Sequence, residues 1–299
     1  MEQAPFFSIV IPSYNRAEFI LPTLESVFSQ TFSSFEIIVV DNASTDNTKE
    51  VLKPLIDAGK INFIAHDKNY ERAKSRNTGM KFAKGEYLTF LDSDDFMLPD
   101  NLSDAYQYIQ NHSSAYLFHN FYQLVDRDNT VLYQYSFPPI KNPLDAIARG
   151  NFLSCIGVFL HAKIYKTIDW DEHPLLTGSE DYDYWLRVIV KCRSVGRIPK
   201  INSNILHHGG RTINNQDAVQ AQARFEYMIE KYQNDREFIA AYKNRLNTIK
   251  ATLWLFLAGL YLNAGDKTQV LKWLKNAFFA DAYTLKRREF YSLVAGIIR

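Results

Sequence analysis

The chain has 299 residues, 46% of them hydrophobic, which suffices for one α/β domain with an appended region and a sizeable core. Its net charge of +1 disfavours a nucleic-acid-binding protein, and its two cysteines, Cys155 and Cys192, lack the spacing of a disulfide framework or a zinc site. The longest uncharged apolar stretch, residues 251–262, is shorter than the ~20 residues that span a bilayer. Residues 1–7 lack the features of a secretion signal, so we expect a cytoplasmic protein.

The first hundred residues alternate strand-like and helix-like segments. Continuous apolar runs predict strands at residues 8–11, 35–40, 61–65 and 86–91. Apolar residues spaced three and four apart predict helices at residues 18–30, 45–56 and 71–83. Strands joined by helices of this length form right-handed crossovers, so we expect an α/β fold with a mostly parallel sheet sandwiched by helices.

After residue 95 the pattern favours a mixed arrangement, followed by helices alone. Helices are predicted near residues 100–110 and 182–192, and strands at residues 115–125, 130–135 and 198–206. Further along the chain, helices are predicted at residues 218–232, 238–262, 267–279 and 284–298. We therefore expect an α/β domain over residues 1–212 and a helical C-terminal region over residues 213–299.

An acidic loop, Asp92-Ser93-Asp94-Asp95, directly follows the apolar run at residues 87–91. Open α/β sheets bind ligands at the carboxyl ends of their strands, so the loop lies where a ligand is expected. Clustered carboxylates repel each other unless a cation relieves them, and Mg²⁺ and Mn²⁺ prefer oxygen ligands. The alternative is an Asp-rich turn before the helix that Pro99 precedes.

The loop after the first strand, residues 12–16, stands where a dinucleotide-binding protein has a glycine-rich turn, but no G-x-G-x-x-G follows. Pro12 fixes the backbone there, and Tyr14 offers a flat ring on which a base could stack; the alternative is a partly buried loop aromatic. At the end of the second strand, Asp41 could accept a hydrogen bond from a pyrimidine N–H. Asp46 is better explained as a helix cap.

Three basic residues, Arg72, Lys74 and Arg76, lie near the start of the predicted helix 71–83. The positive end of a helix favours anions, and a spacing of four places Arg72 and Arg76 on one face. These residues could therefore bind phosphate, although exposed basic residues on helices are usually only solvated.

Two clusters late in the sequence hold further titratable side chains. Glu180 and Asp181 precede an amphipathic segment, where they either serve catalysis or cap the helix. His207 and His208 are adjacent, and only one of them can face a given site from a strand; we favour His208. Arg211 could bind phosphate through two parallel hydrogen bonds.

Four motifs occur in a specific order and spacing. They are FSIVIPSYN at 7–15, EIIVVDNASTD at 36–46, SRNTG at 75–79 and LDSDD at 91–95. Together they resemble the family-2 glycosyltransferases with the GT-A fold, and the resemblance extends over residues 6 to about 210. It implies a nucleotide-sugar half at residues 1–99, an acceptor half at residues 100–212, and a uridine-based donor.

The resemblance also implies roles for residues at matching positions. Donor contacts would come from Pro12, Tyr14, Asn15, Asp41, Arg76, Asp92 and Ser93, to which Arg72 and Arg211 add the phosphate contacts argued above. Mn²⁺ or Mg²⁺ would be held chiefly by Asp94, with Asp92, Asp95 and His208 as further ligands. Asp181 would act as catalytic base, and Glu180 would orient either its loop or the acceptor, a saccharide or lipid-linked glycan.

Two other functions fit parts of the pattern. A sugar-nucleotide binding or scaffold protein could keep the pocket without turnover, but the intact Glu180-Asp181 pair disfavours it. A nucleotidyltransferase would need a glycine- and lysine-rich loop after the first strand, which residues 12–16 do not provide.

The C-terminal region is basic, because residues 211–299 carry 14 Lys and Arg against 8 Asp and Glu, a balance of +6. Lysines interleave with aromatic residues in its last helices. Packing between helices explains the aromatics most simply. Peripheral contact with the anionic inner face of a membrane, or a homodimer through these helices, would explain the same residues.

Overall fold

The computed structural model describes residues 4–209 and 217–298, so Arg211 lies outside the described residues. The chain divides into two compact units. The sheet unit comprises Met1–Ile140, Leu153–Glu172 and Lys191–Gly209, and the helical unit comprises Lys141–Phe152, His173–Val190 and Gly210–Arg299. The helical unit thus includes two segments from before residue 212, and the predicted domain division at that residue stays a prediction.

Nine strands form the sheet in the described part of the chain. They are β1 (Phe7–Ser13), β2 (Phe35–Asp41), β3 (Asn62–Ala65), β4 (Tyr87–Phe90), β5 (Phe96–Met97), β6 (Leu117–Val125), β7 (Val131–Gln134), β8 (Val158–His161) and β9 (Gly196–Leu206). The order is β3-β2-β1-β4-β8-β6-β9-β5, and β7 pairs with β6. The first four strands are parallel, whereas β8 runs antiparallel to β4 and β6. The predicted parallel first part and mixed second part are confirmed.

Helices follow the strands and then continue alone. They are α1 (Ile20–Phe28), α2 (Thr48–Asp57), α3 (Arg72–Phe82), α4 (Asn101–Asn111), α5 (Pro143–Ala148), α6 (Ala162–Tyr165), α7 (Glu180–Cys192), α8 (Ala218–Asn234), α9 (Arg236–Tyr242), α10 (Arg245–Asn263), α11 (Lys267–Ala280) and α12 (Arg288–Ile298). Short 3-10 helices cover Pro174–Leu176 and Ala282–Lys286. Among the described helices, none is both long enough and apolar enough to cross a membrane.

Two helix predictions were wrong in their continuity. The single helix predicted at 238–262 is two helices, α9 and α10, because Lys243 has a φ of 49° and interrupts the helical backbone. The helix predicted at 284–298 is a 3-10 turn followed by α12. The sequence analysis also missed β8, whose pairing joins the parallel strands to the antiparallel ones.

Strand β1 lies between β2 and β4 and packs against helices on both faces of the sheet. Phe7, Ile9 and Ile11 belong to the same apolar core as residues of α1, α2 and α4. Val10 points to the opposite face and meets α3 at Gly79, where a Cβ atom would lie 2.2 Å from Val10 Cγ1. Only a glycine allows this approach, which seats α3 directly on the sheet. The predicted sandwich of helices around the sheet is thereby confirmed.

Candidate active site

Three parallel strands end side by side at one edge of the sheet. Strands β2, β1 and β4 are neighbours, and β1 is in parallel register with both. Their carboxyl ends lead into the loops at residues 42–47, 14–19 and 92–95, which contain four of the nine predicted donor contacts, Tyr14, Asn15, Asp92 and Ser93. The fold therefore brings these loops together at the edge where open α/β sheets bind ligands.

Asn15 fixes the first loop against the second. Its φ of 51° lies in the left-handed region that asparagine tolerates better than most residues. Its side-chain oxygen accepts hydrogen bonds from the backbone N–H groups of Thr45, at 2.8 Å, and Asp46, at 3.3 Å. Its own N–H donates to Ser44 Oγ at 2.9 Å. The described contacts of Asn15 therefore shape the loops, and its predicted donor contact stays a prediction.

The three residues predicted to contact the base, Pro12, Tyr14 and Asp41, differ in accessibility. Tyr14 is 39% exposed, so its ring is available for stacking, whereas Pro12 is buried within β1. Asp41 is also buried, and its carboxylate accepts hydrogen bonds from the N–H of Ser44 at 3.0 Å and from the Ser44 hydroxyl. Asp41 thus holds its own loop closed at the tip of β2.

Arg76 connects α3 to the acidic loop. Its predicted donor contact stays a prediction; the side chain is only 1% exposed, and its Nη2 lies 3.1 Å from Asp92 Oδ1. Its guanidinium also lies over the Trp170 ring, 4.6 Å from the centroid. The Asn77 side chain holds the backbone of Trp170 in place. It donates to the Trp170 backbone carbonyl at 2.9 Å and accepts from the Trp170 backbone N–H at 2.7 Å. The arrangement orients the Asp92 carboxylate through a buried cation. Arg72, one turn earlier, is partly exposed.

Asp94 faces two cationic or potentially cationic groups. His208 Nε2 lies 2.9 Å from Asp94 Oδ2, and Arg16 Nη2 lies 3.5 Å from the same oxygen. The His208 ring stacks on Phe19, with centroids 4.9 Å apart and an interplanar angle of 26°. His208 is buried and His207 is exposed, which agrees with the expectation that only one of them faces the site. These groups hold the Asp94 carboxylate at the strand tips.

Asp95 has a structural contact. It is buried, and its Oδ1 accepts a hydrogen bond from the N–H of Leu206, the last residue of β9, at 3.1 Å. Two residues beyond Leu206 the chain reaches His208. Asp95 therefore fixes the strand end from which His208 meets Asp94. Ser93, which lies between Asp92 and Asp94 in the sequence, is also buried.

The described residues fit a divalent ion in part. Asp94 and His208 bring a carboxylate oxygen and an imidazole nitrogen within 2.9 Å, and both are ligands of Mn²⁺. Asp92 and Asp95 have contacts in other directions, and within the residues that the structure describes no group of three His, Cys, Asp or Glu side chains is arranged to hold a metal. Their predicted ligation stays a prediction. An ion at Asp94 and His208 would take its remaining ligands from water and the diphosphate, as Mg²⁺ commonly does.

In the helical unit, Glu180 and Asp181 open α7. Glu180 is buried, and its Oε2 accepts a hydrogen bond from the N–H of Gly178 at 2.7 Å. Asp181 is partly exposed; its Oδ2 accepts from Asn151 Nδ2 at 3.0 Å and its Oδ1 from the N–H of Tyr182 at 2.7 Å. The two acids are thus held differently. Glu180 stabilises the turn before the helix, and Asp181 lies nearer to solvent.

A buried arginine from α8 supports this pair. Arg224 Nη1 donates to Ser179 Oγ at 3.2 Å, in the residue directly before Glu180. Burial lowers the pKa of the Arg224 guanidinium, and the negative charges of Glu180 and Asp181 oppose that shift. Gly178 has a φ of 88°, and a Cβ there would lie 3.0 Å from Arg224 Nη1. The turn therefore needs a glycine both for its backbone and for the arginine beside it.

Asp183 is fully buried and pairs with two cations. Its Oδ1 lies 2.7 Å from Lys231 Nζ and accepts from the Tyr232 hydroxyl at 2.8 Å, while its Oδ2 lies 2.8 Å from Arg187 Nη2. Burial lowers the pKa of Arg187, but the charge of Asp183 more than reverses this and raises it. These contacts tie α7 to α8. Asp183 is therefore an anchor of the helical unit.

Sequence reasoning missed four residues that complete these arrangements. They are Arg16, Trp170, Asn151 and Arg224. A cation directly after the Tyr14-Asn15 loop was a visible signal for Arg16. The other three come from distant parts of the chain, and no local pattern marks them.

The sequence profile described as "Glycosyl transferase family 2" matches residues 8–161, about half of the chain. The chain belongs to this family. A putative teichuronic acid biosynthesis glycosyltransferase of Bacillus subtilis is 30% identical over 62% of this chain and 73% of its own length. The UDP-Glc:alpha-D-GlcNAc-diphosphoundecaprenol beta-1,3-glucosyltransferase WfaP of Escherichia coli is 32% identical over 62% of this chain and 70% of its own length. An uncharacterized glycosyltransferase of Methanocaldococcus jannaschii is 32% identical, and the match spans 65% of its length.

Solved structures show the same fold for this family 2 chain. TarS of S. aureus in complex with UDP-GlcNAc is 19% identical, with a TM-score of 0.67 over 98% of this chain and 88% of that one. The mannosyltransferase PcManGT of Pyrobaculum calidifontis, in complex with GDP-Man and Mn2+, is 15% identical, with a TM-score of 0.62 over 99% and 86%. The predicted GT-A fold with C-terminal helices is confirmed.

Proposed function

We propose that the chain is an inverting, metal-dependent glycosyltransferase. It moves a hexosyl or N-acetylhexosaminyl group from a UDP-sugar to a hydroxyl of a saccharide or lipid-linked glycan. The observation that carries the proposal is the cluster at the strand tips, where Asp94 faces His208 at 2.9 Å and Arg16 at 3.5 Å. A carboxylate, an imidazole and a guanidinium are together suited to a cation and the diphosphate that it neutralises. Membership of the family supports sugar transfer from a nucleotide donor.

The donor base is assigned to the loops after β1 and β2. Tyr14 supplies an exposed ring for stacking, and Asp41 and Pro12 line the neighbouring strand ends. The choice of uridine is supported by the donors named for two similar proteins, UDP-Glc and UDP-GlcNAc. Asp92, oriented by Arg76, is assigned to the ribose side of the nucleotide.

The diphosphate is assigned to Asp94, His208 and Arg16. A divalent ion held by Asp94 and His208 would act as a Lewis acid that stabilises charge on the departing nucleotide. Arg16 is partly exposed and its guanidinium can turn to a phosphate oxygen, where two parallel hydrogen bonds are available to it. In the absence of the donor, Asp94 balances the charge of Arg16.

The acceptor chemistry is assigned to Asp181. Its carboxylate takes the proton of the acceptor hydroxyl as that oxygen attacks the anomeric carbon, and the bond from this carbon to the diphosphate oxygen breaks in the same displacement. The nucleoside diphosphate leaves with the bonding electron pair, and because the hydroxyl oxygen attacks from the opposite face in this single displacement, the configuration at the anomeric carbon inverts. Asn151 orients Asp181, and Glu180 keeps the preceding turn in place.

The setting that we propose is polysaccharide biosynthesis in the cytoplasm. The names of the Bacillus subtilis and Escherichia coli relatives point to glycan polymers and to a diphosphoundecaprenol-linked acceptor. An acceptor on a lipid would bring the enzyme to the inner face of a membrane by peripheral contact of its C-terminal helices. A homodimer through these helices is the alternative use of the same surface.

Donor binding is tested by calorimetry with UDP-Glc, UDP-GlcNAc and GDP-Man, each with Mn²⁺, with Mg²⁺ and with a chelator. We expect one uridine donor to bind in the presence of the ion and to weaken on chelation. Preference for the guanosine donor would overturn the base assignment, and equal binding under chelation would overturn the metal dependence.

Two matched variants separate donor binding from transfer. Asp94→Asn is expected to abolish metal-dependent donor binding, because it removes the anionic ligand. Asp181→Asn is expected to keep donor binding and to lose about 10²- to 10⁴-fold in transfer, the usual contribution of a general base. Asp128→Asn, at an exposed turn, and Asp266→Asn, at a helix cap, serve as controls. Transfer that persists in Asp181→Asn would remove the base assignment.

A further inference from the structure

The outer side of α11 combines basic and apolar residues. Lys267, Leu271, Lys275 and Phe279 are spaced four apart and form one row along the helix, with Lys272 beside it. All five are exposed, Leu271 by 57% and Phe279 by 73%. We call these five residues the α11 face. Exposed apolar side chains that share one side of a helix with basic residues are typical of a surface that contacts a partner or a membrane.

The opposite side of α11 already has its packing partners. Val270, Trp273, Leu274 and Ala277 are buried, and the helix packs against α10. Trp273 lies near Trp254 of α10, with ring centroids 6.4 Å apart. The core of the helical unit therefore accounts for one side of the amphipathic helix and leaves the α11 face outside it.

The charged residues of the α11 face are all basic. No Asp or Glu occurs within α11, and the acids at its two ends serve as caps. Asp266 accepts from the N–H of Gln269 at 3.0 Å, and Asp281 accepts from the N–H of Tyr283 at 3.0 Å and from the Thr248 hydroxyl at 2.7 Å. The lysines consequently present a local positive charge around two exposed hydrophobic side chains.

We propose that the α11 face binds the surface of an anionic lipid bilayer. Leu271 and Phe279 enter the region between the lipid headgroups, while the flexible lysine side chains extend to the phosphates. The following 3-10 helix has a similar composition, with Tyr283 and Leu285 each 43% exposed and Lys286 Nζ 5.5 Å from the Tyr283 ring centroid. Tyrosine and lysine are both favoured at the level of the headgroups.

Charge favours a bilayer over a second copy of the chain. A twofold dimer places the same patch of both copies in contact, so the lysines of one α11 face would meet those of the other without carboxylates between them. An anionic bilayer instead neutralises them. It also adapts to a convex helix, whereas a protein partner would have to supply an acidic groove of matching shape. Lipid binding requires no donor, metal or acceptor, so its failure would leave the proposed transfer reaction untouched.

The test is flotation of the full chain with vesicles of phosphatidylcholine, with and without phosphatidylglycerol. We expect binding only to the anionic vesicles and a decrease as salt is raised. The variant Lys267→Gln/Lys272→Gln/Lys275→Gln should weaken binding about a hundredfold, at roughly fivefold for each lysine near the surface. Phe279→Ser should weaken it about tenfold through lost apolar burial.

Matched controls use residues of the sheet unit. Lys49→Gln/Lys81→Gln/Lys84→Gln removes the same charge from exposed lysines elsewhere, and Phe82→Ser removes another exposed phenylalanine, 58% accessible. Both controls should float like the wild type, and thermal denaturation checks that all variants are folded. Equal binding by the α11 variants and the controls, no binding to anionic vesicles, or a dimer in light scattering that Phe279→Ser dissociates would each overturn the proposal.

Discussion

Each compact unit contains one acidic motif, residues 92–95 in the sheet unit and residues 180–183 in the helical unit, and in both the last carboxylate is the most deeply buried. Asp95 accepts a hydrogen bond from the N–H of Leu206. Asp183 pairs with Arg187 and Lys231 and also accepts from the Tyr232 hydroxyl. One acid thus holds a strand end, and the other forms a buried ion pair between two helices.

In both motifs, the acids that hold the fold are different residues from those available for chemistry. Ahead of each anchor stands a less deeply buried carboxylate, Asp94 before Asp95 and Asp181 two positions before Asp183. The anchors fix the backbone that carries these residues. Neighbouring acids of one motif can therefore have different roles. Mutation of one should lower the stability of the fold, and mutation of the other should lower donor binding or transfer.

The largest effect on stability is expected for Asp183→Asn. It removes the charge that balances Arg187 and Lys231, and breaking a buried ion pair typically costs about 3–5 kcal/mol. Hydrogen exchange in α7 and α8, together with urea unfolding, measures the loss. Asp266→Asn is the control, because asparagine caps a helix as well as aspartate does, and it should change stability by less than about 0.5 kcal/mol. A loss at Asp183 as small as that of the control would contradict its role as an anchor.

Acid should destabilise the sheet unit through its histidines. Burial, together with the positive charge of Arg197, lowers the pKa of His119 to about 4; burial also lowers the pKa values of His66 and His161. The neutral form of His119 is consistent with its contacts, since Nδ1 can donate to the Asn120 carbonyl at 3.1 Å while Nε2 accepts from Arg197 Nε at 3.2 Å.

The sign of this pH effect follows from the unfolded chain. In the unfolded chain the pKa of a histidine is 6.5. The contribution of neutral His119 to the free energy of unfolding is therefore complete above about pH 6.5 and is lost as the pH falls toward about 4. For His119 alone the loss between pH 7 and pH 5 is about 2 kcal/mol. Urea unfolding across this range measures it. His119→Gln should flatten the pH dependence, whereas His112→Gln, at an exposed residue, should leave it unchanged.

How much of this could be read from the sequence depends on the range of the interactions. The four strands from β1 to β4 and their helices were predicted because each shows a local hydrophobic period. The break between α9 and α10 was not, because it depends on the left-handed backbone of one residue, Lys243, within an otherwise helical pattern. Strand β8 was missed because it has only four residues, and only its pairing with β4 and β6 identifies it as a strand.

The site shows the same limit. Motif order located the loops at the strand tips, since adjacency of parallel strands follows from the fold class. It did not distinguish Arg76, which is buried against Asp92, from an exposed helix residue such as Lys81. Nor could it place Lys231 beside Asp183, because the two residues lie 48 positions apart, whereas the Arg187 partner is only four residues away. The sequence does not show which way a side chain points or which residue from a distant part of the chain lies beside it.

Asp95→Ala should have a smaller effect on stability than either of the preceding changes. It leaves the N–H of Leu206 without its side-chain acceptor, at a cost on the order of 1 to 2 kcal/mol. Because the end of β9 positions His208, metal-dependent donor binding should weaken as well, although Asp95 is not assigned to the donor. Asp95→Asn, which keeps a carbonyl oxygen, should recover part of both losses. Normal donor binding by the alanine variant would show that Asp95 does not position His208.

The smallest change in stability is expected for Arg16→Gln, and it provides the clearest separation of stability from function. The Arg16 side chain is 31% exposed and its distance to Asp94 is 3.5 Å, so the pair should contribute less than about 1 kcal/mol to the free energy of unfolding. The proposed contact with the diphosphate is charge-assisted and should be worth more, so donor affinity should fall roughly tenfold or more. Arg127→Gln, at an exposed ion pair with Glu18, is the matched control and should alter neither quantity. A tenfold loss of donor affinity without a shift in the unfolding midpoint would place Arg16 with Asp94 and Asp181 among the residues available for chemistry, whereas unchanged affinity would assign its guanidinium only to balancing Asp94.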